Sequence, residues 1–293
     1  MKTIVTKISI GFVWLISLLP LKVLYLFSDV LYLLNFYFFK YRKHVVYQNL
    51  KNAFPEKTPS EIDSIARKFY RHLSDFIVET IKLFHISKRQ LDKRFRILNP
   101  EIFRELNKEG RQITLISGHY GNWEWMCNMP EKIPQHILVI YYPLKNKVID
   151  KLILRLRTQF GGDLVSVKDF YKRIVNMYSK GQPTGAWFLG DQRPLRKNPF
   201  WTKFLNQDTA FYLGPEKVAR RFKHAVVFMD INKVGRGYFE VHFDLLTRDA
   251  SALPDLSVTE MHVQKLESII RERPEYWLWS HRRWKHKPPK PLD

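Results

Sequence analysis

With 293 residues, 45% of them hydrophobic, the chain can form one large domain or a domain with an appendage, and it has ample material for a core. Its single cysteine, Cys127, excludes an intramolecular disulfide framework and any cysteine-rich zinc site, and fits a cytosolic setting. A formal net charge of +21 calls for an anionic partner, whether nucleic acid, an acidic membrane surface, an acidic protein or a phosphorylated substrate.

The first feature in chain order is an apolar and aromatic run over 8–39, in which only Lys22 and Asp29 are charged. Such a run belongs in or on a membrane. Pro20 and Lys22 interrupt it near the middle, so a kinked span, a hairpin and an interfacial helix are all open. A single anchor or an in-plane insertion is favoured over a buried helical hairpin of a soluble protein. Lys2 and Lys7 imitate the start of a secretory signal, but no small-x-small cleavage site follows, so the segment is expected to be retained. The KYRKH stretch at 40–44 is a basic collar for anionic headgroups and favours a cytoplasmic location for the residues beyond it. The anchor and collar are therefore assigned to 1–45, and the main domain to 46–293.

Residues 45–54 end at Pro55, and Thr58-Pro59-Ser60-Glu61 reads as the cap and first turn of a helix reaching Lys82. Its apolar positions Ile62, Ile65, Phe69, Leu73, Phe76, Ile77 and Ile81 keep helical spacing and predict a core-facing stripe. Residues 90–108 read as a charge-rich connector. A buried strand is predicted at 113–116, then strand and helix pairs at 136–142 and 148–160, 164–167 and 170–179, 185–189 and 212–222. A hairpin of 225–232 with 238–245 turns around Gly235 and Gly237, and 258–273 forms a closing helix. This alternation predicts an α/β layered fold.

The stretch ISGHYGNWEW at 116–125 carries the chemistry. Asn122 is a helix cap before Trp123, and the glycines permit a turn between strand and helix. His119 and Glu124 would diverge by roughly 140° on a continuous helix, so they meet only if the loop folds the histidine back over the helix start. A neutral imidazole held by a carboxylate is a proton acceptor able to activate a hydroxyl. Ser117 leans into the strand and Cys127 falls within the next helix, so direct attack by a substrate hydroxyl is favoured over a covalent intermediate. Taken alone, a His-x4-Glu spacing also fits a capped helix with a hydrogen-bonded histidine.

Arg155 and Arg157, separated by one residue, point to different sides of a helix, so one of the two reaches the centre, where either would hold a phosphate or polarise a carbonyl. A solvated helix face is the alternative. Asp191 and Gln192 come after the apolar run GAWFL, where a strand end presents polar groups in an α/β fold, although an ordinary turn fits as well. The C-terminal run RPEYWLWSHRRWKHKP interleaves aromatics with cations, as for single-stranded nucleic acid or a membrane interface. The N-terminal run favours the membrane.

Several of these pieces occur together in one known family. The chain resembles the lysophospholipid-acyltransferase-like superfamily, and within it the bacterial lipid A biosynthesis late acyltransferases. The resemblance is carried by NLKNAFPE at 49–56, GHYGNWE at 118–124, YYPLKN at 141–146, the segment of Arg155 and Arg157, GDQ at 190–192 and the C-terminal run, in family order over nearly the whole chain. Trp284 stands where the family commonly has another aromatic.

The resemblance implies a glycerolphosphate-acyltransferase-like layered sheet with flanking helices, an acyltransferase domain over 46–293, and work at the bacterial inner membrane with the catalytic domain facing the cytoplasm. It implies an acyl carrier protein thioester as co-substrate, a hydroxyl of a phosphorylated glucosamine lipid as acceptor, and no metal or redox cofactor. His119 would be the base and Glu124 its orienting carboxylate, with Arg155 or Arg157, Asp191 and Gln192 at the substrate. An acyltransferase for another glycolipid or aminolipid is the rival reading within the same chemistry. A membrane-tethered nucleic-acid-binding protein is the rival from another class, and no nucleic acid is expected.

Overall fold

The computed structural model describes residues 2–194 and 199–288, with side chains from Ile10 onward. The N-terminal run is broken where its proline predicts. Helix α1 (Lys2–Ser17) ends before Pro20, which stands at the cap of α2 (Leu21–Leu33), and a wider turn over Leu34–Phe38 continues α2. Left-handed backbone at Lys40 and Arg42 then turns the chain into α3 (Lys43–Ala53).

Helix α4 (Pro59–Lys82) opens on a full capping box, in which the Thr58 side chain accepts from the Glu61 amide and Glu61 reaches back to the Thr58 amide. Its first half buries Ile62, Ile65 and Phe69 as the stripe predicts, but in its second half the buried side turns polar, at Ser74, Asp75, Glu79 and Lys82. Those groups are buried because α1 and α2 lie over them. Leu21, Leu24 and Tyr25 belong to the same apolar cluster as Leu115 and Val227 in the centre of the domain.

The stretch expected to be a connector is structured throughout, as α5 (Lys88–Arg94), β1 (Phe95–Ile97) and α6 (Glu101–Lys108). A second capping box, Ser87 with Gln90, starts it, and Leu91, Phe95, Phe103 and Leu106 pin it to the core. Beyond it come β2 (Ile113–Ser117), a 3-10 helix over Trp123–Lys132, β3 (His136–Tyr141), α7 (Lys147–Thr158), β4 (Asp163–Ser166), α8 (Phe170–Ser179) and β5 (Thr184–Leu189). A separate small hairpin of β6 (Phe200–Phe204) and β7 (Gln207–Phe211), which the sequence pattern does not announce, precedes α9 (Gly214–Arg221). The long strands β8 (Ala225–Gly235) and β9 (Tyr238–Thr247) and helix α10 (Ser257–Glu272) complete the chain as predicted.

These strands build a seven-stranded sheet in the order β1-β9-β8-β2-β5-β3-β4, parallel except between β8 and β9, with helices around it. The fold is α/β, as expected. Every residue of β2 is buried, as befits the middle strand of a sheet covered on both faces.

Candidate active site

Loops that leave a parallel sheet at the carboxyl ends of adjacent strands converge, and this topology sets the site. Ser117 at the end of β2 pairs in register with Leu189 at the end of β5, and the Gly190 amide donates to the Ser117 carbonyl at 2.9 Å. His119 and Asp191, two residues beyond each strand end, are thereby brought side by side. The approach is close enough to require glycine at 118, where a Cβ would stand 2.7 Å from Leu266 Cδ1 and 3.4 Å from Asp191 Oδ2. Gly121 has φ of +62°, and a Cβ there would meet the Ile231 carbonyl at 2.8 Å. Asn122 then caps the 3-10 helix, its Oδ1 accepting from the Trp125 amide at 3.3 Å.

Asp191 is buried and accepts three hydrogen bonds. The His119 ring donates from Nδ1 to Oδ1 at 2.6 Å, the His119 amide donates to Oδ2 at 2.8 Å, and the Trp277 indole donates to Oδ2 at 2.8 Å. Burial works against the charged carboxylate, but the adjoining imidazole and these N–H groups outweigh it and hold the acid at about 2. With Nδ1 carrying the proton, Nε2 of His119 is the acceptor, and Gln192 Nε2 donates to it at 3.1 Å. The Trp123 ring packs edge-on against the imidazole at 5.0 Å.

This geometry corrects the expected pairing. Glu124 does not hold the imidazole; its two oxygens accept a fork from Arg157, Nε at 2.8 Å and Nη2 at 2.5 Å, and the Trp123 indole donates to Oε1 at 3.2 Å. Burial alone would weaken the Arg157 cation, and the bonds to Glu124 more than reverse this, so its affinity for the proton rises. Between the two candidate arginines, Arg157 faces the site, while Arg155 is exposed and has no hydrogen bond or ion pair among the described residues. Asp191 and Gln192, expected at the substrate, are both spent on His119.

The inner rings of the C-terminal run face the domain's own interior, while Arg282, Lys285, His286 and Lys287 are exposed. Trp277, Trp279 and Arg283 are buried, and the segment forms the back wall of the site. Tyr120 and Trp277 pair their backbones, the Gly121 amide donates to the Tyr276 carbonyl at 3.1 Å, and Asn49 of the early NLKNAFPE motif donates to the Trp279 carbonyl at 2.9 Å. Sequence reasoning missed Trp277 because its partner is far along the chain. It also missed Glu79, which is wholly buried. One Glu79 oxygen accepts from Tyr25 OH at 2.9 Å and the other from Asn122 Nδ2 at 2.7 Å, while its carbonyl accepts from the Trp125 indole at 3.1 Å. Burial is the main reason its carboxyl is shifted upward.

The Trp123 ring that packs on His119 also lines an apolar cavity formed with Met126, Met129, Val139, Leu164, Trp187 and Leu189, with Glu124 and Arg157 in its wall. It is narrow, with a cavity volume of about 40 Å³, and part of it opens to solvent. Cys127 also lines it, but burial pushes that thiol up to about 12, and Ser117 Oγ is buried and accepts from the Trp187 indole at 2.8 Å. Neither is an activated nucleophile. The arrangement offers a proton acceptor with a fixed tautomer, a cation with N–H groups to spare and an apolar slot along that cation.

A family model for bacterial lipid A biosynthesis acyltransferases matches residues 1–286. The chain is 26% identical over 288 residues to a lipid A biosynthesis lauroyltransferase of Escherichia coli, covering 97% of this chain and 92% of that one. It is 22% identical over 285 residues, with the same coverage, to the palmitoleoyltransferase of lipid A biosynthesis from that organism. A lipid A biosynthesis acyltransferase of Haemophilus influenzae is 22% identical over 79% of this chain and 72% of its own length. The protein, with its strand-end histidine beside an apolar slot, belongs to the bacterial lipid A biosynthesis acyltransferase family.

Proposed function

We propose that this acyltransferase moves a fatty acyl chain from an acyl carrier protein thioester to a hydroxyl of a phosphorylated lipid A precursor, at the cytoplasmic face of the bacterial inner membrane. The observation that carries the reading is the His119 tautomer. Asp191 accepts the hydrogen bond of the Nδ1–H and leaves Nε2 without a proton as the base, with the Trp123 ring, which lines the apolar cavity, packed against the imidazole. The acceptor hydroxyl displaces the Gln192 amide from Nε2 and gives up its proton there as its oxygen attacks the thioester carbon. The new C–O ester bond forms, the C–S bond breaks, and the proton on Nε2 passes to the departing thiolate, so the products are the ester and the free carrier thiol.

Asp191 balances the imidazolium while it exists. Glu124 uses two of the Arg157 N–H groups and holds the guanidinium in the cavity wall, and the remaining N–H groups serve the oxyanion of the tetrahedral intermediate. The acyl chain follows the apolar slot away from the reacting carbon. No cofactor has a part in this scheme. The test is incubation of the purified protein with acyl carrier protein thioesters and lipid A precursors, read by mass. Wild type should yield the acylated lipid, and His119→Ala should lower the rate on the order of 10²–10⁴-fold. Near-normal transfer by His119→Ala would remove the base from the scheme, and transfer only to a different lipid class would replace the acceptor.

A further inference from the structure

Helix α2 with its continuation makes an 18-residue apolar helix over Leu21–Phe38, ~27 Å long at 1.5 Å per residue and close to the ~30 Å of a hydrocarbon core. Length therefore permits a span. The inner side of the helix opposes one, because Tyr25, Ser28 and Asp29 share a side that is bonded into the domain. Ser28 Oγ donates to Asp75 Oδ1 at 2.8 Å, and Asp75 also receives Lys233 Nζ at 3.1 Å and Arg236 Nη2 at 2.7 Å. Arg236 reaches back to Asp29 at 2.6 Å, and Tyr25 donates to buried Glu79. Lys82 Nζ donates to the carbonyls of Ser17 and Leu19, both at 2.9 Å, which closes the end of α1 on the same domain surface. A helix that crossed a bilayer would have to abandon these partners and carry Asp29 into hydrocarbon.

The outer side of the same helix is apolar and unpartnered. Leu26, Phe27, Val30, Leu33 and Phe38 are each half or more exposed, and Phe12 and Leu15 of α1 are exposed too. Exposed Lys22 and Lys40 stand at the two ends of the stripe, on a chain of net charge +21. A face of this kind, apolar along its length and cationic at its ends, matches an anionic lipid surface.

We propose that α1 and α2 lie in the plane of one leaflet of an anionic bilayer, with the outer side in the acyl region and both ends on the same side of the membrane. The proposal deepens the membrane association in the functional reading and fixes its geometry: the helices do not span. Two measurements on the full-length protein test it. Lys22→Cys and Lys40→Cys, made singly, are probed with a membrane-impermeant maleimide in sealed bacterial membrane vesicles of each orientation. Buried Cys127, with its thiol pushed up to about 12, sets a low background. Both new thiols should label from the same side; labelling from opposite sides overturns the in-plane geometry and leaves membrane association standing.

In the second measurement, purified protein is sedimented with vesicles of phosphatidylethanolamine and phosphatidylglycerol. The triple variant Leu26→Glu, Val30→Glu, Leu33→Glu should partition roughly tenfold or more less than wild type, with its thermal midpoint unchanged because these side chains face outward. Equal partitioning of variant and wild type overturns the assigned surface. Wild type left in the supernatant overturns both the surface and membrane association, while the acyl-transfer assay remains a separate test of the chemistry.

Discussion

Two carboxylates near His119 divide the work, and their environments show how. Asp191 faces N–H donors on every side, whereas Glu124 serves a guanidinium. Because the folded Asp191 titrates at about 2 and an unfolded aspartate at about 3.9, the stabilisation it provides is present above about pH 4 and is lost as pH falls through about 2. The unfolding midpoint of Asp191→Asn should therefore trail wild type at neutral pH and draw level with it on the way down to pH 2. The same variant should lose roughly 100-fold or more in kcat, with the acid limb of its rate profile moved to lower pH, since the imidazolium has lost its counter-charge. An unchanged pH profile would reduce Asp191 to a structural role. The sequence offered His119 and Glu124 as a pair because they are five positions apart. The residue that holds the ring is 72 positions away and becomes a neighbour only through the pairing of β2 with β5.

Among the elements, those with many periodic residues or fully apolar runs were legible: α4, α10, the central strands β2 and β5, and the β8–β9 hairpin. Five short pieces, α5, β1, α6, β6 and β7, were not, because they have neither a fully apolar run nor the length to display a period, and their stability comes from the core they dock on. The C-terminal segment was misread for a related reason: composition shows amphipathic rings but not whether they face lipid or the domain's own interior. Its two inner tryptophans should differ in kind. Trp279→Ala should cost about 3–5 kcal/mol by leaving a hole in a fully buried site. Trp277→Phe keeps most of the ring and removes one donor from Asp191, so it should cost about 1.5–3 kcal/mol and also lower kcat. Urea denaturation beside steady-state kinetics separates the two, and equal effects on kcat would show that Trp277 acts through packing alone.

For the whole molecule, the proposed acidic carrier donor gives the surplus of positive charge a part in encounter rather than in chemistry. Exposed charges are screened beyond about 8 Å at physiological ionic strength, so added salt should raise KM for the carrier thioester and leave kcat nearly constant. A KM indifferent to salt would mean that charge does not recruit the donor. The hydrogen bonds of Glu79 bear on the other substrate. This one carboxylate grips Tyr25 of the interfacial helix with one oxygen and Asn122 of the turn that carries His119 with the other. With α2 lying in the leaflet as proposed, His119 would stand at a set altitude along the membrane normal. A lipid is then sorted by where its hydroxyl floats: one that rides too deep among the tails, or too far out among the headgroups, misses Nε2 even when its chemistry is right.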